Sequence, residues 1–318
     1  MRRSPAGRAA TVAAAALLVA SSAGADMGMV LPVADVTVHE PGQKAIIAHD
    51  GFEEILILAT DLEATAETVV LRFIPLPAEP VVSAAPPDCF ERLEEIIDRH
   101  GLDYLVQMRS KDGGIQGEAV ELLSHQRIGA HDVTVVRIRD VEHFGRWVDG
   151  FLKERGLPSR ALNSEERAIV GDYVERGFPY FVFDIVEVGP ETETVSPLVY
   201  RFESRRFYYP LAATNLFGGE GRIDLFVFSD RGDLLKSLYY APWRCDGDVG
   251  PRGWLPSSTA IVSSEEMESV APEIAGLLGA RAVLGAFRYQ GRFRFDCDIV
   301  REIPIREMKA SSGLRYGE

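Results

Sequence analysis

Apolar residues recur along this chain with two periods, and the switches between them mark alternating strand-rich and helix-rich stretches. Val36–His39, Lys44–His49, Glu54–Thr60 and Thr68–Ile74 are short β-branched and apolar runs broken by turn residues, the pattern of strands. Asp50-Gly51 between two of them predicts a type I′ hairpin, a turn that needs positive φ at both positions. Prolines from Pro75 to Pro87 then end the sheet pattern. Asp88 and Glu91 have capping-box spacing, and Phe90, Leu93, Ile96 and Ile97 mark one face of a helix that Gly101 stops.

Weaker strand character surrounds the Gly113-Gly114 turn, in Tyr104–Met108 and Glu118–Ser124, and His131–Ile138 is a further strand candidate. Two helices follow. Asp140 caps the first, with Val141, Phe144, Val148, Phe151 and Leu152 as its apolar stripe, and Asn163 with Glu166 forms a capping box for the second. Strands resume at Tyr180–Val188, Leu198–Phe202 and Arg222–Phe228, with Tyr200, Phe202, Phe207, Tyr208 and Tyr209 as an aromatic core cluster. Ser263 and Glu266 cap a last helix carrying Val270, Ile274, Leu277 and Leu278. Phe293, Phe295, Cys297 and Ile299 then alternate with charged residues, the cleanest period-2 pattern in the chain.

Strand clusters separated by helix clusters, without a regular βαβ rhythm, predict an α+β fold with mostly antiparallel strands and about four helices. Residues 26–308 form either one compact domain or two closely packed strand-plus-helix halves meeting near residue 130, and residues 309–318 form a frayed tail.

The N-terminus changes the picture from fold to address. Arg2, Arg3 and Arg8 precede an uncharged run ending at Ala20, and Ala23-Gly24-Ala25 closes the segment before Asp26. Those are the three parts of a secretory signal peptide, residues 1–25, and the apolar run is shorter than the roughly 20 residues that cross a bilayer. Arg2-Arg3 leaves the twin-arginine route open beside general export. No second long apolar segment follows, so the exported chain is expected to be soluble, without a transmembrane anchor. Removing three signal arginines takes the formal charge of the 318-residue chain from −14 to −17. A charge that negative argues against nucleic-acid partners.

The chemistry-bearing motifs are sparse. There is no G-x-S-x-G elbow, phosphate-binding loop or H-E-x-x-H helix, and Gly218-Gly219-Glu220-Gly221 precedes a strand as a turn. No cofactor is expected. Cys245 and Cys297 are the candidate disulfide, with three buried thiols, Cys89 included, as the alternative. His131, with His125 and Asp132, is the best imidazole–carboxylate grouping for a metal, although its spacing matches no ligand pattern. Asp230 with Asp233, and Asp246 with Asp248, are acidic pairs that could hold calcium in a stabilised extracellular module. Asp246 and Asp248 are flanked by Trp243 and Trp254, the best candidate for a secreted hydrolase with a carboxylate-based glycan site.

Several segments in combination resemble a family of secreted prokaryotic proteins known only as a domain of unknown function. They are Asp26-Met27-Gly28-Met29-Val30, Gly42–Ile46, Glu53–Leu58, His131–Val136, Pro197-Leu198, Arg201–Ser204, Tyr209-Pro210-Leu211 and Leu225–Phe228. The resemblance runs from about Asp26 to Asp230 and fades in the Cys245 loop. It implies an extracytoplasmic location and supplies no catalytic residues. The expected function is a non-catalytic binding or scaffolding role toward an envelope or extracellular partner.

Overall fold

The computed structural model describes residues 28–30, 36–102, 125–128, 131–159, 161–216, 220–239, 259–293, 295 and 297–303. Outside them lie the signal segment, the strands expected around Gly113-Gly114, the Trp243–Trp254 loop with Cys245, Asp246 and Asp248, the Gly218-Gly219 turn and the tail.

The fold is mixed α/β, built mainly on two sheets. The five-stranded sheet has the order β1 (Gly28–Val30), β4 (Thr68–Leu76), β8 (Tyr180–Val188), β7 (His131–Arg137) and β6 (His125–Ile128), antiparallel throughout. The eight-stranded sheet runs β13 (Thr259–Ser263), β14 (Arg281–Arg292), β12 (Glu220–Ser229), β2 (Val38–His49), β3 (Glu53–Ala64), β10 (Leu198–Glu203) and β5 (Val81–Ala84), with β9 (Glu193–Thr194) also on β3. Within this sheet only the β12–β2 pair is parallel. A small ribbon joins β11 (Arg206–Tyr209) to β15 (Ile299–Glu302). Both large sheets draw strands from either side of residue 130.

Period-2 alternation explains the layering. On β4 and β8, Phe73, Phe181 and Phe183 face α2 (Val141–Glu154), where Phe144 lies 6.2 and 5.5 Å from the last two rings. The intervening residues, Arg72 and Asp184, face the eight-stranded sheet. The other face of that sheet carries Ile46, Ile55, Ile57, Phe226 and Leu284 against α1 (Cys89–Arg99), α5 (Ser264–Val270) and α6 (Pro272–Leu278). With α3 (Ser164–Glu175) beside α2, the order is helices, sheet, sheet, helices.

Six helices occur among the described residues, against the four expected. One addition, α4 (Gly232–Tyr239), was not anticipated. The other arises because the Ser263 helix is two: Pro272 stands at the first position of α6, and a residue before proline is pushed out of helical geometry, so Ala271 is extended at φ −158°. The capping boxes at Asn163 and Ser263 form. Asp88 makes no cap: its backbone is not extended, and its carboxylate binds Arg92 at 2.7 Å.

Three strand expectations are corrected. The Pro75–Pro87 stretch still contributes β5. Val36–His39 and Lys44–His49 merge into one strand through an irregularity between His39 and Gly42, where Pro41 interrupts the ladder. The Phe293–Ile299 alternation is not a continuous strand: β14 ends at Arg292, Cys297 is exposed, and Asp298 is buried. Asn215 bonds both the N–H and the carbonyl of Phe295, taking the place of a neighbouring strand. The Asp50-Gly51 hairpin exists, but only Gly51 has positive φ (107°), so the turn is not type I′. Instead Asp50 Oδ1 accepts from the amides of Phe52 and Glu53 at 2.8 and 2.9 Å.

Candidate functional site

Among the described residues, besides Asp224 with Arg222 and Arg288 on the eight-stranded sheet, three interior groups of ionisable side chains and one at the surface bear on function. Between the sheets, Arg72 of β4 and Asp184 of β8 are direct cross-strand partners and form an ion pair. Arg72 also donates to Thr60 of β3, which ties the two sheets together. His131, the first residue of β7, places Nδ1 2.7 Å from the same Asp184 oxygen and Nε2 2.8 Å from the Ser196 carbonyl. Burial alone would raise the Asp184 carboxyl, but the charges of Arg72 and His131 outweigh it and hold it below the ordinary range.

A metal role for His131, a candidate that the sequence leaves open, finds no support in this geometry, since both ring nitrogens face oxygen acceptors. Neighbouring Asp132 pairs with Arg155 at 3.2 Å. Among the described residues, no three His, Cys, Asp or Glu side chains converge as a metal site. Nor is this an activated nucleophile. The imidazole meets the carbonyl of Ser196 and not a hydroxyl, and His131 and Asp184 are 1% and 0% exposed. The cluster is a brace.

A second buried carboxylate, Asp298, fastens the segment before β15. It accepts from the Tyr173 hydroxyl, the Ala212 amide and Arg176, each at 2.8 Å. Here burial prevails over these donors, and the carboxyl is raised. The third place is the root of the β2–β3 hairpin. His49 and Glu54 are fully buried, with Nε2 and Oε2 4.0 Å apart. Desolvation lowers His49 to about 4, so its imidazole is neutral near pH 7, and the same burial raises the Glu54 carboxyl well above its usual range.

At the tip of that hairpin lies a cleft of about 560 Å³, lined by Asp50, Phe52, Glu53, Glu203, Ser204 and Arg205. Phe52 is 60% exposed. Glu53 and Glu203 are direct cross-strand partners, an apposition of like charges. Glu53 is engaged by Arg201 in two bonds of 2.7 and 2.6 Å.

Of the other residues nominated from sequence, Asp246, Asp248 and Cys245 lie outside the described residues, and with Cys245 goes the expected pairing of Cys297. Asp230 is exposed, and Asp233, 3.8 Å from Arg231, is exposed at the start of α4. Cys89 is buried, with its thiol pushed up to about 12 by desolvation. The brace was missed, although it left a signal: Arg72 is the one charge in Thr68–Leu76, and Asp184 breaks the apolar run Tyr180–Val186 of β8, with Glu187 further on.

Fold and clusters together define a two-sheet α/β protein with a charged brace between its sheets. The chain belongs to a family described as uncharacterized protein conserved in bacteria, DUF2330, whose model matches residues 19–230. No curated protein matches it. Among solved structures it is similar to baculovirus P35, at 9% identity and a TM-score of 0.45, covering 85% of this chain and 98% of that one. It is also similar to a chain of the caspase-8/P35 complex, at 10% identity and a TM-score of 0.39, covering 82% and 96%. Similarity at that level carries no function across.

Proposed function

We propose that this protein works outside the cytoplasm as a non-catalytic binding protein and holds its partner at the hairpin-end cleft. The observation that carries the reading is the division of its polar groups. His131 directs both ring nitrogens at Asp184 and the Ser196 carbonyl, and Asp298 is engaged by Tyr173, Arg176 and the Ala212 amide, whereas the cleft presents an exposed aromatic beside carboxylates. An exposed ring next to hydrogen-bonding groups is the composition of a contact surface. The signal segment supports export.

A photocrosslinking side chain placed at Phe52 in producing cells tests this, with the exposed Ile261 of β13 as the control position. A discrete adduct from position 52 and none from 261 is the expected result. Equal labelling at both, or none at 52, overturns the reading. Fractionation of the same cells should place the protein outside the cytoplasm with Asp26 as its first residue; a cytoplasmic protein that retains residues 1–25 refutes export.

A further inference from the structure

The imidazole of His49 is held by its own turn. The Gly51 amide, two residues on, lies 2.8 Å from Nδ1. A main-chain N–H only donates, so Nδ1 is the acceptor, and the one proton of the neutral ring sits on Nε2. A second proton must enter at Nδ1, where it stands donor to donor against Gly51. His49 is 0% exposed, so solvent does not relieve that clash.

Gly51 connects the ring to the cleft. It lies between Asp50 and Phe52, both cleft-lining, and its φ of 107° is a backbone state that few other residues adopt. Beyond it, the Phe52 carbonyl accepts from the amide of cleft-lining Ser204 at 2.9 Å. The charges around the ring are mixed. Glu54 Oε2 faces Nε2 at 4.0 Å, and Arg231 Nη1 lies 3.3 Å from the point that a Cβ on Gly51 would occupy. Burial is the largest influence and lowers the imidazole to about 4; the Asp50 charge and main-chain groups of Arg206 and Ser204 work against it, and the Arg231 charge works with it.

We propose that the Gly51–His49 bond is an acid-sensitive latch on the hairpin tip: protonation of Nδ1 breaks it and frees Gly51 and Phe52 from the cleft wall, so that the cleft releases its partner in acid. The release rests on reading the cleft as a binding surface; the latch does not.

NMR on the full chain tests the latch through the exchange protection of the Gly51 amide, followed from pH 6.5 to 4 in the native protein and in His49→Gln. The glutamine oxygen still accepts from Gly51 and takes up no proton. Gly51 protection should fall about tenfold in the native chain, in step with the His49 ring-nitrogen signals, and hold in His49→Gln, with Ile46 and Leu56 unchanged in both. Asp50 is present in both chains, so a loss that they share belongs to its carboxylate. Equal losses in the two chains, native protection that persists at pH 4, or a matching fall at Ile46 and Leu56 overturns the proposal. The crosslink at position 52 is independent of these readouts. An adduct that forms equally in medium of pH 7 and pH 4 refutes the release and keeps the binding surface, whereas a titrating latch with no adduct at pH 7 does the reverse.

Discussion

Asp184 and Asp298 are both buried carboxylates that bind an arginine, yet the protein sets them in opposite directions. Asp184 is fully sealed, and the Arg72 guanidinium and the His131 ring reach one of its oxygens, so the charged form prevails. Asp298 has more hydrogen bonds, but two of its donors are the neutral Tyr173 hydroxyl and the Ala212 amide, and its Arg176 is 30% exposed and shared with Asp172. Opposing charge, and not the number of donors, decides which carboxylate stays ionised. The difference follows position. Asp184 sits between two sheets that exclude water, while Asp298 closes a chain segment against a helix end.

The largest expected effect breaks this comparison most directly. Asp184→Asn leaves Arg72 and His131 buried without a counter-charge and should cost about 3–5 kcal/mol, read by urea unfolding at pH 7. Asp298→Asn keeps acceptors for Tyr173 and Ala212, and Arg176 keeps Asp172, so it should cost about 1–2 kcal/mol. Similar losses for the two would refute the distinction. Their pH responses should also differ in sign. A depressed carboxyl contributes stability that is present above its unfolded pKa and is lost as pH falls through the folded one, which describes Asp184. A raised one contributes below the unfolded pKa and loses that contribution as pH rises through the folded value, which describes Asp298.

Parts of this contrast were legible in the amino-acid order. Arg72 is the one charge of its strand, and Asp184 interrupts the apolar run Tyr180–Val186, each a mark of a paired interior group. What could not be read was that they pair, because strands 112 residues apart meet only through sheet order. Asp298 was masked by the alternation around it. Phe293 and Phe295 suggested a continuing strand, whereas Asn215, a distant side chain, supplies the bonds that end regular pairing there. Local signals were reliable where the bond they announced was local, as in the Asn163 and Ser263 boxes. Asp88 shows the limit: the spacing was right, but Arg92 offered its carboxylate a charged partner one turn away.

The hairpin root gives a second, smaller test on neutral groups. His49 is lowered from 6.5 to about 4, so the stability gained by keeping it uncharged is complete above pH 6.5 and is lost as pH falls toward 4. At about 1.4 kcal/mol per unit, this contribution is on the order of 3 kcal/mol. Glu54, raised by the same burial, acts with the opposite sign, favouring the fold on the acid side. The clean readout is a difference between variants. His49→Gln, whose side-chain oxygen can still accept from the Gly51 amide, should lose less stability between pH 6.5 and 4 than the native protein. Parallel pH profiles for the two would show that His49 is not held neutral.

The smallest effect lies at the surface and asks whether the cleft obeys the rule seen inside, that a carboxylate is settled by its opposing charge. Glu203 faces Glu53, and removing one charge of such a pair is worth about 0.2–1 kcal/mol. Arg201 holds Glu53 through two bonds, so Glu203→Gln relieves the remaining cross-strand repulsion and should raise stability by about that amount, read by urea unfolding at pH 7. In an Arg201→Gln background Glu53 loses that cation, and the same substitution should raise stability by more. Equal gains with and without Arg201 would mean that solvent, and not the opposing charge, settles these surface carboxylates.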